Sequence, residues 1–365
     1  MGDILHALPA VTALRQAHPR WVIDWVVERR WRELLSAGSG SGARDPLAQP
    51  LVDHIHYTAT KEWRKAPFSL RTLREIQSLR RGLKAGRYDV VIDFQGALRS
   101  AVVGSFACAR RHIGEERPRE LAAAWFFTDH VATKGAHVIE QDVEIACAIA
   151  GDLLSPVQPL LPTDPGAEAW ADDFLPLDGT PAVLINPGAG WGAKRWPVER
   201  YAEVARSLID DGFRILVNAG PGEEPLAEAI RQGVGEASAA VTTLNCNLAH
   251  LIAAVRRAAL VIAGDTGPLH LACALGRPVV GIYGPTDPSR NGPFGATSRV
   301  LRSPESRRDH TRYSAPEAGL LTIQAADVLR AAGELLYARS ANLSAEESAR
   351  QNANQSAARG SEIRK

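Results

Sequence analysis

The sequence predicts an α/β protein built on doubly wound parallel sheets and divided into two domains. Three observations carry that expectation. The second half alternates short apolar runs with helical segments, the pattern of parallel strands joined by right-handed crossovers. The first half follows the same grammar with more interruptions. At 365 residues the chain also exceeds what a single core usually organises.

In chain order, ILHALPAVTALRQAH sets Ile4, Leu5, Leu8, Val11 and Leu14 on one helical face, and WVIDWVVE reads as a strand. SAGSGSGARDP is expected to be a flexible loop. SLRTLREIQSLRRGLKAG gathers Leu70, Leu73, Ile76, Leu79 and Leu83 into one stripe, and YDVVIDFQG is a strand with a polar end. The opening is unusual. A doubly wound domain normally starts with a buried strand that feeds its first helix, yet here the helix begins almost at Met1. The expectation is therefore an unusual topology or a missing first strand, and for the latter either a true start codon upstream or a compromised version of the chain.

GDLLSPVQPLLPTDPGAEAWADDFLPLDGTP, rich in Pro, Gly and Asp, suits an interdomain connection holding one short helix. Then follow PAVLIN (strand), PVERYAEVARSLIDDG (helix), RILVN (strand), EPLAEAIRQGV (helix), AVTTLN (strand), NLAHLIAAVRRA (helix), LVIAG (strand), PLHLACALG (helix) and VVGIYG (strand). The domains are drawn at 1–160 and 161–338. Residues 339–365, poor in apolar side chains, are expected to be a disordered tail.

Composition excludes several classes. A net charge of +1 argues against a dedicated nucleic-acid binder. No apolar stretch reaches the ~18–20 residues of a membrane span. The amino terminus lacks a basic region followed by a signal core, so the cytoplasm is the expected compartment. Cys108, Cys147, Cys246 and Cys273 lie far apart without CxxC spacing, which suits reduced, buried thiols. No Asp-x-Asp pair and no His cluster at zinc spacing occurs, so no metal or other cofactor is expected.

The chemistry concentrates at the turns Asn186–Gly192, Asn218–Glu224 and Gly264–Gly267. Glycine-rich turns bring backbone amides close to a phosphate, and helix amino termini add partial positive charge there. Lys194 follows the first turn, where its ammonium can pair with a diphosphate. A nucleotide diphosphate or nucleotide sugar fits this set. Neither a G-x-G-x-x-G fingerprint nor a Walker loop is present.

GDTGPLHLACALGRPVVGIYGPTDP, supported by MGDILHALPAV, WVVE, YDVVIDFQG and NPGAGWGAKRWP, resembles glycosyltransferase family 9, whose members add heptose to the inner core of lipopolysaccharide. The likeness covers roughly residues 1–338. Within the family, WVVE, EWRKAPFS and HVIEQDVEIA favour the branch that adds the first heptose over the branch that adds the second. The resemblance implies a GT-B fold, two Rossmann-like domains facing a cleft. ADP-heptose would sit on the carboxy-terminal domain, and a Kdo-bearing lipid A precursor on the amino-terminal one, at the cytoplasmic face of the inner membrane. Another member of the family, or a non-catalytic nucleotide-sugar binder, is the alternative.

Carried over by residue, Asp3 would be the general base, against the plainer role of capping the following helix. Lys194 would meet the donor phosphates, Asp265 the heptose hydroxyls, Thr266 and Gly267 the diphosphate, and His270 the sugar. Gly188 lies in the first phosphate turn, and Glu223 or Glu224 would sit at the ribose. Arg64, Lys65, Arg119 and His137 would receive the anionic acceptor. Trp63, Phe68, Trp125, Phe126 and Phe127 lie near these cations, and packing in the core is the default for each.

Overall fold

The computed structural model describes residues 1–38, 44–174, 179–295, 297–308, 311 and 313–338. The expected tail at 339–365 and most of the serine-glycine loop lie outside the described residues.

The amino-terminal half runs α1 (Gly2–Ala17), β1 (Asp24–Glu28), β2 (His54–Thr58), α2 (Thr60–Lys65), α3 (Leu70–Ala85), β3 (Val90–Asp93), α4 (Leu98–Ser105), β4 (Arg111–Glu115), β5 (Asp129–Val131) and α5 (Val138–Ala150). Its strands form two parallel sheets, β1–β2 and β3–β4–β5. Among the described residues no ladder joins β1 to β3. Helices hold the two pieces in one layer. Ile23 shares an apolar cluster with Ile92 and Phe94 beneath α1 and α5, while Val26 and Val91 both pack on Leu79 and Leu83 of α3.

Helix α1 departs from the one-sided pattern expected of it. Every residue from Leu5 to Arg15 is buried, because α5 covers one side and the carboxy-terminal half covers another. Arg15 is accommodated by donating from Nε to Leu51 O (3.0 Å) and from Nη1 to Trp21 O (2.6 Å), and by pairing with Asp53 (2.5 Å). A buried guanidinium is tolerated only when its donors are met in this way.

Two other expectations are corrected. In α3 only the carboxyl end of the stripe is covered: Leu79 and Leu83 are buried, whereas Leu70 and Leu73 are exposed. Cys108 is likewise exposed, and only Cys273 of the four free thiols is fully buried.

After α6 (Pro165–Phe174), the one short helix of the connection, come β6 (Ala182–Asn186), α7 (Val198–Asp210), β7 (Arg214–Asn218), α8 (Glu224–Gly233), β8 (Val241–Leu244), α9 (Leu248–Arg257), β9 (Leu260–Gly264), α10 (Gly267–Ala274), β10 (Val279–Tyr283), α11 (Pro288–Asn291) and β11 (Ser298–Arg302), with a last helix over 325–338. The six strands are parallel in the order β8–β7–β6–β9–β10–β11. Strands β6, β9 and β10 are buried at every position, as expected for strands covered on both faces. The order reverses between β6 and β9, so the crevice at their carboxyl ends is where a ligand would enter.

One apolar cluster spans the two halves, joining Leu5, Leu8 and Val11 of α1 to Leu269, Leu271 and Val279. Burying each such side chain contributes roughly 1.5–3 kcal/mol. The halves are therefore fastened directly beside the crevice.

Candidate active site

The site begins where β9 stops. Gly264 ends the strand, Asp265 occupies the turn, and Thr266 stands at the amino cap of α10. Asp265 is nearly buried and holds two partners: Lys194 Nζ donates to Oδ2, and His270 Nε2 lies 3.1 Å from Oδ1. Burial by itself would raise this carboxyl. The His270 hydrogen bond and the Lys194 charge outweigh it and hold Asp265 below the usual carboxylate range.

Lys194 ends a short turn, Gly192–Lys194, after β6. Its ammonium lies 4.2 Å from the centre of the Trp191 ring and its side chain is only 10% exposed. A freely solvated surface lysine is thus excluded.

Thr266 does not cap α10 with its side chain. Its hydroxyl turns back to donate to Gly264 O (3.1 Å) and accepts from Asn186 Nδ2 (3.4 Å). The first turn of α10 therefore has no side-chain cap, at a helix end where anions are favoured.

Asn186 and Asn218 close β6 and β7 and were missed as site residues. Asn218 Nδ2 donates to Asn186 Oδ1 (2.6 Å), and Asn186 Nδ2 also donates to Gly188 O (3.2 Å). Two buried amides therefore tie the Gly188 turn to the Thr266 turn. The signal was in the sequence, as an Asn ending each of two strands just before a glycine-bearing turn. Glu223 rather than Glu224 faces this turn: its carboxylate accepts from Gly220 N (3.1 Å) and fills the space that a Cβ on Gly188 would need.

The amino-terminal half contributes Asp3, in the first turn of α1 and half exposed. It caps nothing. Its Oδ2 accepts from Gln95 Nε2 (2.7 Å), and Arg119 Nη1 stands 4.0 Å away. Gln95 is set by Asp93, the last residue of β3, whose Oδ1 accepts from Gln95 N (2.8 Å), Gly96 N (3.0 Å) and Ser100 Oγ (3.0 Å). Gly96 has φ +60°, and a Cβ there would meet Arg119 N at 3.0 Å. Only glycine lets the Arg119 loop approach so closely. Gln95 and Gly96 were not foreseen beyond the polar end noted on their strand.

The two constellations meet at the first turns of α1 and α10. A Cβ on Gly2 would lie 3.9 Å from His270 Cδ2, and His6 Nε2 lies 3.3 Å from His270 Nδ1. The helix turn that carries Asp3 is therefore packed against the helix turn that carries His270 and follows Asp265.

The cations expected to receive an acceptor divide. Arg64 and Lys65 are exposed on α2, with no side-chain hydrogen bond among the described residues. His137 is different. It is buried at the amino cap of α5, where Nδ1 accepts from Ile139 N (3.2 Å) and Nε2 lies 3.1 Å from Gly292 O. Burial lowers its pKa and keeps the ring neutral, so its expected place among the cations is corrected: it is a cap, and a peg between the halves. The aromatics divide too. Phe127 is buried, as expected by default, but Phe68 and Trp125 are 90% and 85% exposed.

Among the described residues no three His, Cys, Asp or Glu side chains gather as a metal site, and no helix is long and apolar enough to cross a membrane.

Residues 76–320 match the family model for glycosyltransferase family 9 (heptosyltransferase). Lipopolysaccharide heptosyltransferase 1 of Escherichia coli K12 is 32% identical over 311 residues, which is 83% of this chain and 91% of that protein. Two solved structures of the E. coli heptosyltransferase WaaC superpose along the chain. The form with ADP has a TM-score of 0.73 at 29% identity, covering 92% of this chain and 97% of that one. The form with ADP-2-deoxy-2-fluoro heptose has a TM-score of 0.70 at 30% identity, covering 92% and 96%.

Proposed function

The chain belongs to glycosyltransferase family 9, and from that premise we propose that it transfers heptose from ADP-L-glycero-D-manno-heptose to the Kdo region of a lipid A precursor, inverting the anomeric centre without a metal ion. The observation that supports this reading is the contact between the first turns of α1 and α10, where His6 meets His270. Asp3 belongs to the first of these turns, and the Lys194–Asp265–His270 constellation adjoins the second.

In the step itself, an acceptor hydroxyl oxygen bonds to the anomeric carbon of the heptose while its proton passes to the Asp3 carboxylate. The bond from that carbon to the diphosphate breaks, and its electron pair leaves with ADP. Inversion requires the base to face the departing group from the opposite side, which a carboxylate on the facing half satisfies. Charge developing on the diphosphate is met by Lys194 and by the amides of Thr266 and Gly267, fixed donors of the oxyanion-hole kind. Asp265 and His270 hold the sugar hydroxyls, and Glu223 beside Gly188 takes the ribose. Asp265 pairs with Lys194, which holds both side chains in position.

Acceptor recognition falls to Arg64, Lys65 and Arg119, whose exposed cations suit carboxylates and phosphates. Phe68 and Trp125, almost fully exposed and a few residues along the chain from Lys65 and Arg119, support working contact with the cytoplasmic face of the inner membrane. Large apolar side chains left in water beside basic ones are the signature of interfacial binding.

The test is heptose transfer from ADP-heptose, comparing Kdo-lipid A with heptosyl-Kdo-lipid A as acceptors. Turnover on the first acceptor alone, undiminished by a chelator, is expected. Transfer restricted to the second acceptor, or abolished by chelation and restored by magnesium, would overturn the corresponding part of the reading.

A further inference from the structure

We propose that His6 of α1 is a positioning residue that reaches across from the acceptor half to fix the orientation of His270 against the donor sugar; this rests on the reading above that His270 faces that sugar. Lys194, Asp265, His270 and His6 form one continuous polar chain that starts in the carboxy-terminal half and ends in the amino-terminal half. His6 is 8% exposed, and its ring stands edge-on to that of His270, with centroids 4.6 Å apart.

Hydrogen-bonding capacity dictates the rest. The Asp265 carboxylate only accepts, so His270 Nε2 must carry a proton and donate to it. His270 Nδ1 then faces His6 Nε2 at 3.3 Å. That His270 nitrogen can accept from His6 Nε2, which donates to it.

Its surroundings keep His6 neutral: burial first, then the neighbouring rings of His270 from α10 and His137 from the cap of α5, opposed only by Asp265. Without a polar group at position 6, nothing on this side prevents the His270 ring from turning over. The nitrogen meeting Asp265 would then no longer be fixed.

The variants His6→Leu and His6→Gln separate this role from packing, since glutamine can place an amide able to donate or accept near the same point. Binding of ADP-heptose and of ADP alone is measured by calorimetry. His6→Leu is expected to weaken ADP-heptose by about five- to tenfold, the worth of one neutral hydrogen bond, with ADP within about twofold of wild type. His6→Gln is expected to recover most of the lost affinity. Equal weakening of both ligands, or His6→Gln no better than His6→Leu, would overturn the proposal. Should His6→Leu fail to fold, nitrogen-15 shifts of the His270 ring in the wild-type protein decide it. A single hydrogen-bonded form at Nε2 is expected, and free sampling of both tautomers would overturn it. Wild-type protein that binds ADP but gains nothing from the heptose would instead mark failure of the donor reading itself.

Discussion

Arg119 Nη1 stands 4.0 Å from the carboxylate of Asp3, with both side chains more than half exposed. A pair so open to solvent adds little to stability. On the proposed reading, it holds a guanidinium where an anionic acceptor would meet the base. Arg119→Ala is therefore expected to raise the KM for the Kdo acceptor by about tenfold or more, leave the KM for ADP-heptose within about twofold, and leave Tm unchanged. Steady-state kinetics with each substrate varied in turn check this. An effect confined to the donor would remove Arg119 from the acceptor side.

Asp3→Asn preserves the hydrogen bond to Gln95 in shape while removing the capacity to take a proton. Loss of a positioned general base typically costs on the order of 10²–10⁴ in rate, so kcat is expected to fall by that range with ADP affinity nearly unchanged. Turnover close to that of the unaltered protein would exclude Asp3 as the base.

Phe68 and Trp125 carry no core role that their exposure would permit. The double variant Phe68→Ser with Trp125→Ser should keep Tm within about a degree, because surface changes away from packed features seldom exceed ~0.5 kcal/mol. Sedimentation with vesicles containing anionic lipid should show several-fold weaker binding. Undiminished binding would point to the cations alone, and no binding by either protein would set aside the membrane contact.

The carboxy-terminal half was legible almost strand by strand, because alternation of β-branched runs with capped helices is a local signal: Asn247 caps α9 and Pro197 precedes α7 where the sequence places them. The amino-terminal half was less so. Whether α1 shows one apolar face or is enclosed depends on α5 and α10, which pack on it from far along the chain, and periodicity holds no record of that. The same is true of Leu70 and Leu73, whose spacing is helical but whose end of α3 has nothing above it. For the site, Lys194 was read from its place after a glycine-bearing turn and Asp265 and His270 from the family resemblance, whereas their pairing comes only from the fold. The choice of Glu223 over Glu224 needed the backbone of Gly188, and the roles of Gln95 and Asn218 arise from strands brought together only by the fold. His137 was placed among the acceptor residues by the family resemblance, and its burial and capping contact come only from the fold.

Asp142 of α5 offers a test of the electrostatics behind the base. It is 3% exposed. Burial, and then the charges of Asp3, Glu115 and Asp93, push its carboxyl well above the ordinary range. The sign follows from linkage. A carboxyl that holds its proton more tightly when folded contributes its full stability below the unfolded pKa, near 3.9, and that contribution is lost as pH rises toward the folded value. Asp142→Asn replaces the protonated form with a neutral group of the same shape. Its Tm should match wild type near pH 4 and exceed it increasingly toward neutral pH, by about a few degrees, as read by thermal melts across that range. A difference constant with pH would mean that Asp142 is neutralised by a partner and does not feel the carboxylates around it.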